Sequence, residues 1–179
     1  VLGLSCGTIA VGYYSAAEKL YQAYNNLLVP ITGVMFPHIA KTRNVAFFKR
    51  VLKFVVPANF VLLTVIMLGS FWLILLVCGE VRTETLTVFR ILMCACVATI
   101  PSILIGYPFL AAMGHVRYTN WTLIGISFFH LAGLTALYLS GYLSIYNVAI
   151  MVILTESLVL AFRAGGIVKY KLFRTETVL

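Results

Sequence analysis

The chain is predicted to be an all-α, polytopic membrane protein, and three observations carry that prediction. First, its 179 residues are 62% hydrophobic and only 10% charged, where a soluble domain carries about 25% charge, and the mean hydropathy is +1.04. Second, the apolar residues fall into five runs, at about 13–40, 54–78, 86–113, 121–139 and 145–162, each near or above the ~20 residues that a helix needs to cross a bilayer. Third, segments of about ten residues with alternating polarity, the mark of a membrane barrel, do not occur. A secretory signal does not explain the apolar start, because no basic stretch, single short core and cleavage site follow one another there.

The first span is the least apolar. On a helix Glu18, Gln22, Asn25 and Asn26 fall at steps of four, three and one, so they form one polar stripe. Lys19 and two prolines, Pro30 and Pro37, lie in the same run. A charged group at the bilayer centre costs at least about 2.5–3.5 kcal/mol, so the stripe must face protein or a water-filled cavity. The second span follows Lys49, Arg50 and Lys53, which flank Phe47 and Phe48 as a short amphipathic piece suited to the interface. The third carries Arg90 near one end and Pro101 and Pro108, seven apart, with Gly106 beside them. Each proline removes an intrahelical hydrogen bond, giving either a hinge or a fixed kink. The fourth carries His130, read as a hydrogen-bonded helix contact, and the fifth carries a lone carboxyl, Glu156.

Connections at 41–53, 79–85, 114–120 and 140–144 are too short to hold a soluble catalytic domain. Alternate loops and the tail hold Lys41, Arg43, Lys49, Arg50, Lys53, Arg117, Arg163, Lys169, Lys171 and Arg174, 10 of the 13 Lys and Arg residues. By the positive-inside rule that side is cytoplasmic, and so is the C-terminus. The net charge of +8 is thereby topological and points to headgroups rather than nucleic acid. Cys94 and Cys96 are two apart on a helix and face different ways, so they are not a zinc pair. With Cys6 and Cys78 they are expected to pack as small hydrophobes, and no metal or other cofactor is expected. The sequon at Asn120 lies on the cytoplasmic side and is expected to carry no glycan.

The run Gly12-Tyr13-Tyr14-Ser15-Ala16-Ala17-Glu18-Lys19-Leu20, followed by Leu28-Val29-Pro30-Ile31 and Met35-Phe36-Pro37-His38-Ile39, resembles the eighth helix of bacterial Wzx-type O-antigen and polysaccharide flippases. These belong to the superfamily that includes the multidrug and toxin extruders. The resemblance implies the C-terminal six-helix lobe of a twelve-helix flippase fold. Its first helix is truncated to residues 1–9, its cytoplasmic tail is at 163–179, and an N-terminal lobe is missing. It further implies the bacterial inner membrane, lipopolysaccharide biosynthesis, and partnership with membrane lipids and other polysaccharide-assembly proteins.

The expected activity is transfer of an undecaprenyl-diphosphate-linked O-antigen unit to the periplasmic leaflet by alternating access, with no catalytic chemistry. Lys19 and Arg90, the internal cations, are candidates to meet the phosphates, Arg being suited to bidentate contacts. Alternatively Glu18 neutralises one of them as a structural pair. Gln22, Asn25 and Asn26 offer partners either to sugar hydroxyls or to neighbouring helices. Glu156 is a candidate for proton coupling, or is satisfied locally by Thr155 and Ser157. Rival readings are export of another lipid-linked polysaccharide unit, a peptidoglycan precursor or a drug. A membrane-embedded polymerase fits less well, since the chain has five Glu and no Asp and lacks a large outside loop. A purely structural scaffold would tolerate neutralising the internal charges.

Overall fold

A computed structural model describes residues 7–173. Among these the chain is helical throughout, with no strand. Four helical segments, Val45–Leu68, Thr83–Ala111, Val116–Leu139 and Ile145–Lys169, are long and apolar enough to cross a membrane.

The first span is built as two helices, not one. Helix α1 runs Gly7–Asn26 and α2 runs Val29–Thr42. Pro30 has no N–H, so the Asn26 carbonyl finds no donor four residues on. The chain instead turns tightly, Leu27 N–H to Tyr24 O and Leu28 N–H to Asn25 O, both 3.1 Å. Of the truncated helix expected over 1–9, residues 1–6 lie outside the described residues, as do Cys6 and Arg174. Gly7 already belongs to α1, because nothing between Thr8 and Gly12 breaks a helix. Helix α2 ends at Arg43, whose φ of 53° is left-handed and whose N–H caps Ile39 O at 2.8 Å.

Helix α3 spans Val45–Leu68, and Asn44 caps it by accepting the Phe47 N–H at 2.8 Å. This corrects the reading of 41–53 as a loop with an interfacial piece. Phe48 is fully buried, stacked on Phe109 at 3.9 Å between ring centroids, so the basic residues ride on the first turns of a spanning helix with their stems along it. The second run also breaks, at Gly69, into α3 and the short α4, Ser70–Cys78. Gly79, at φ 76°, terminates α4 in the conformation that favours glycine.

Helix α5, Thr83–Ile105, passes directly into a π turn over Gly106–Ala111. Pro101 is tolerated inside α5, but at Pro108 the ladder widens. Ala112 donates to Tyr107 O (3.3 Å) and His115 to Leu110 O (2.9 Å), both five residues back. Helix α6 covers Val116–Leu139 and α7 covers Ile145–Lys169. The tail expected from 163 is therefore helical for two more turns, because Ala164-Gly165-Gly166-Ile167-Val168 continues the apolar run.

Helix α5 is the hub. It packs most extensively against α7 and α1, then α3, while α6 leans on α7 and the π turn. Val88, Phe89, Leu92, Met93, Cys96 and Leu104 on α5 are all within 1% of complete burial. In contrast α3 and α6 leave Phe54, Phe60, Trp121 and Phe128 exposed, as spanning helices do toward lipid or another lobe. At one end of the bundle basic and aromatic groups converge. His115 stacks on Tyr170 at 3.7 Å, and the Lys169 ammonium stands 5.7 Å from the Tyr118 ring centre. Lys49 lies over Phe173 at 5.1 Å.

Candidate functional site

Helix α1 presents two adjoining faces. Tyr14, Ala17 and Tyr24 recur at helical spacing and are buried, as is Leu28 in the turn that follows, forming the seam toward α5. Beside them runs the polar stripe. Lys19, Gln22 and Asn26 are exposed, and Glu18 and Asn25 are half-buried. The stripe thus lies along the edge of the packed seam, half-buried at Glu18 and Asn25 and open at Lys19, Gln22 and Asn26.

The inward side is a polar network across four helices. Tyr24 donates its hydroxyl to Asn59 Oδ1 of α3 at 2.6 Å, and Asn59 Nδ2 reaches the Cys96 carbonyl of α5 at 3.4 Å. The Cys96 thiol points at Asn25 Oδ1, 3.7 Å away. Thr99 donates to Ala95 O at 2.9 Å and shares a 3.2 Å hydrogen bond with the Tyr21 hydroxyl. Glu156 of α7 lies close to the same Thr99. Thr99 therefore links α5 to α1 and faces α7. Buried polar groups of this kind fix helices in one arrangement because leaving any one unpaired is costly.

The two cations singled out in the sequence are not brought together on one wall. Arg90 donates from Nε to Ser70 Oγ at 3.0 Å, where α4 begins. It stands nine residues before Thr99, about 180° around the helix at 100° per residue, so it faces α4 while Thr99 faces α1. Lys19 lies on the open side of α1. Glu18 makes no ion pair among the described residues; its carboxylate accepts a long 3.5 Å bond from Gln22. Glu156 faces Thr99 of α5, and among the described residues neither Thr155 nor Ser157 bonds its carboxylate. Thr155 donates to Met151 O and meets His130 Nδ1 at 2.7 Å, a contact that helps tie α6 to α7. Pro30 and Pro108 mark real interruptions, whereas Pro37 and Pro101 sit inside continuous helix. Asn120 accepts the Tyr107 hydroxyl. Cys94 is exposed and Cys96 buried. No group of His, Cys, Asp or Glu among the described residues is placed to hold a metal.

Three residues of consequence were not singled out in the sequence. Asn59 is 5% exposed in the middle of α3; its signal is an amide two residues after Pro57 in an otherwise apolar run. Ser70 is fully buried, directly after the Gly69 break. The third is Arg163. Counted with the tail cations, it lies inside α7, only 6% exposed, and donates from Nη1 to Ser102 O (2.8 Å) and Ser102 Oγ (3.0 Å). Its Nε is buried with no hydrogen-bond partner. The signal was the apolar run that continues past it to Lys169. Comparison of the chain with protein families, characterised proteins and solved structures gave no match.

Proposed function

We propose that this chain is the C-terminal lobe of a flippase that moves a polyprenyl-diphosphate-linked oligosaccharide, an O-antigen unit, across the bacterial inner membrane, its basic end in the cytoplasm. The observation that carries the reading is the α1 stripe. Lys19, Gln22 and Asn26 are exposed on a helix whose neighbours are spanning helices. In hydrocarbon such a face needs water or a polar cargo. Sugar hydroxyls match its amides, and a phosphate matches Lys19.

Arg90 is assigned a supporting role, holding Ser70 at the α3–α4 joint. The breaks at Leu27–Leu28 and Gly69 and the π turn supply places where helices can rock against a partner lobe. Export of another lipid-linked unit by the same lobe remains the second reading, because the stripe selects for hydroxyls and charge rather than a particular sugar.

The test uses the full-length protein in cells that depend on it for O-antigen display. Lys19→Ala and Gln22→Ala are expected to lower display at least fivefold with unchanged protein in the membrane. Undiminished display in both would remove the stripe from the transport path.

A further inference from the structure

A second polar site lies away from the stripe, in a cleft of about 450 Å³ between α2, the π turn and α7. Gly33 and Phe36 form one wall, Ile103, Tyr107 and Pro108 the other, and the buried Arg163 is part of its lining. The fold makes room for that guanidinium deliberately: a Cβ on Gly106 would fall 2.7 Å from Arg163 Cζ and 2.8 Å from Nη1, so the cation lies flat against bare backbone.

Of the five guanidinium N–H donors, those on Nη1 are engaged by Ser102, while Nε has no partner. Among the described residues no carboxylate comes within 4 Å of it. Glu156, seven residues back on the same face of α7, is about 10 Å away along the axis, and its charge acts on the guanidinium without touching it. A buried cation with no carboxylate in contact is disfavoured, and a guanidinium with an unspent donor is suited to take an oxyanion. Apart from Thr32 and the Tyr107 hydroxyl the cleft's remaining walls are apolar, which suits a hydrocarbon tail.

We propose that Arg163 is the oxyanion-binding group of this cleft and that its ligand is a phosphate or diphosphate group borne on an apolar chain. Arg163 lies six residues, about 9 Å, inside the α7 terminus at Lys169, at the basic end of the bundle. Under the proposed function, on which this inference rests for its cargo, it is the group that first receives the lipid diphosphate at the cytoplasmic leaflet, before the glycan reaches the α1 stripe.

Binding of farnesyl diphosphate, inorganic diphosphate and phosphatidylglycerol to the purified full-length protein in phosphatidylcholine nanodiscs tests it. Wild type is expected to bind farnesyl diphosphate more tightly than inorganic diphosphate. Arg163→Gln is expected to weaken binding at least tenfold, and Arg163→Lys to recover part of it. Gly33→Phe provides a variant that leaves Arg163 untouched. Gly33 lines the cleft and a Cβ there meets nothing within 4 Å, so a side chain can start there without a clash, and the ring is expected to obstruct the cleft and abolish binding. Tighter binding of phosphatidylglycerol than of farnesyl diphosphate, with the same Arg163 dependence, would assign the site to a membrane lipid and support the oxyanion role while removing the cargo role. Equal affinity in wild type and Arg163→Gln, or no binding of any probe to wild type, would overturn the proposal. The display assay on Lys19 and Gln22 does not enter this measurement, so the two readings fail separately.

Discussion

Arg90 and Arg163 both sit within apolar helices, and the molecule treats them in opposite ways. Arg90 is exposed and makes one side-chain bond to Ser70. Arg163 contacts α5 at Ser102, twelve residues and about 18 Å further along that helix, and it is buried over Gly106 with Nε unpartnered. One is a cation that props a helix joint and keeps access to its surroundings. The other is held rigidly where its charge is least screened, and there a positive charge is most useful for drawing an anion in. Burial, not sequence depth within a span, separates the two arginines.

The sharpest way to break this comparison is to disturb the bed on which Arg163 lies. Gly106→Ala places a methyl 2.7 Å from Cζ, so either the guanidinium leaves Ser102 or the π turn shifts. Overpacking of this kind costs about 1–3 kcal/mol, and a loss near 2 kcal/mol is expected in reversible unfolding of the detergent-solubilised protein, together with weakened farnesyl diphosphate binding. Gly165→Ala is the control on α7. Its Cβ meets nothing within 4 Å, and replacing a helical glycine by alanine stabilises by about 0.5–1 kcal/mol. Opposite signs at the two glycines support a tight seat for Arg163. The same sign at both would show the seat to be loose.

Why the sequence distinguished these arginines wrongly follows from how the spans end. The helical class and the approximate positions of the spans were legible, because runs of some twenty apolar residues leave few other structures open. The ends were not. Residues after Phe162 alternate Arg163, two glycines and Ile167-Val168 before Lys169, and counting charges places Arg163 with the loop. Only the packing partners, a serine on α5 and a bare glycine opening the π turn, show that the cation is interior. In the same way Lys49, Arg50 and Lys53 read as a loop, although Phe48 among them is buried on Phe109. The α1 stripe was legible because a periodicity of polar groups in an apolar run needs no partner to be seen. The Tyr24–Asn59–Cys96 link was not, because it depends on which helices become neighbours.

A smaller effect tests the other half of the comparison. If Arg90 chiefly holds Ser70, a double-mutant cycle with Arg90→Ala and Ser70→Ala should give a coupling of about 1 kcal/mol. That lies below the 1.5–3 kcal/mol typical of hydrogen bonds to charged groups, because Arg90 is exposed. Display of O-antigen by Arg90→Ala should then fall no further than its loss of stability explains. A coupling within about 0.3 kcal/mol of zero, with display lost, would return Arg90 to the transport path.

The smallest effect is expected at the Glu80–Arg82 pair, in the turn between α4 and α5. Arg82 Nε donates to Glu80 Oε1 at 3.0 Å and Nη2 to Oε2 at 3.1 Å. These bonds and the guanidinium charge hold the Glu80 carboxyl below its ordinary range. A depressed carboxyl stabilises the fold above its unfolded pKa, and the contribution disappears as pH falls through the folded value. Both groups are exposed to solvent, however, so screening leaves little of it. Glu80→Gln should therefore unfold at the wild-type temperature at pH 7, in low and in high salt alike. A lower midpoint for Glu80→Gln at pH 7 that converges with wild type on acidification would show that an exposed pair organises this end of the bundle. The contrast would then lie between two ordered ends rather than between a propped one and a buried one.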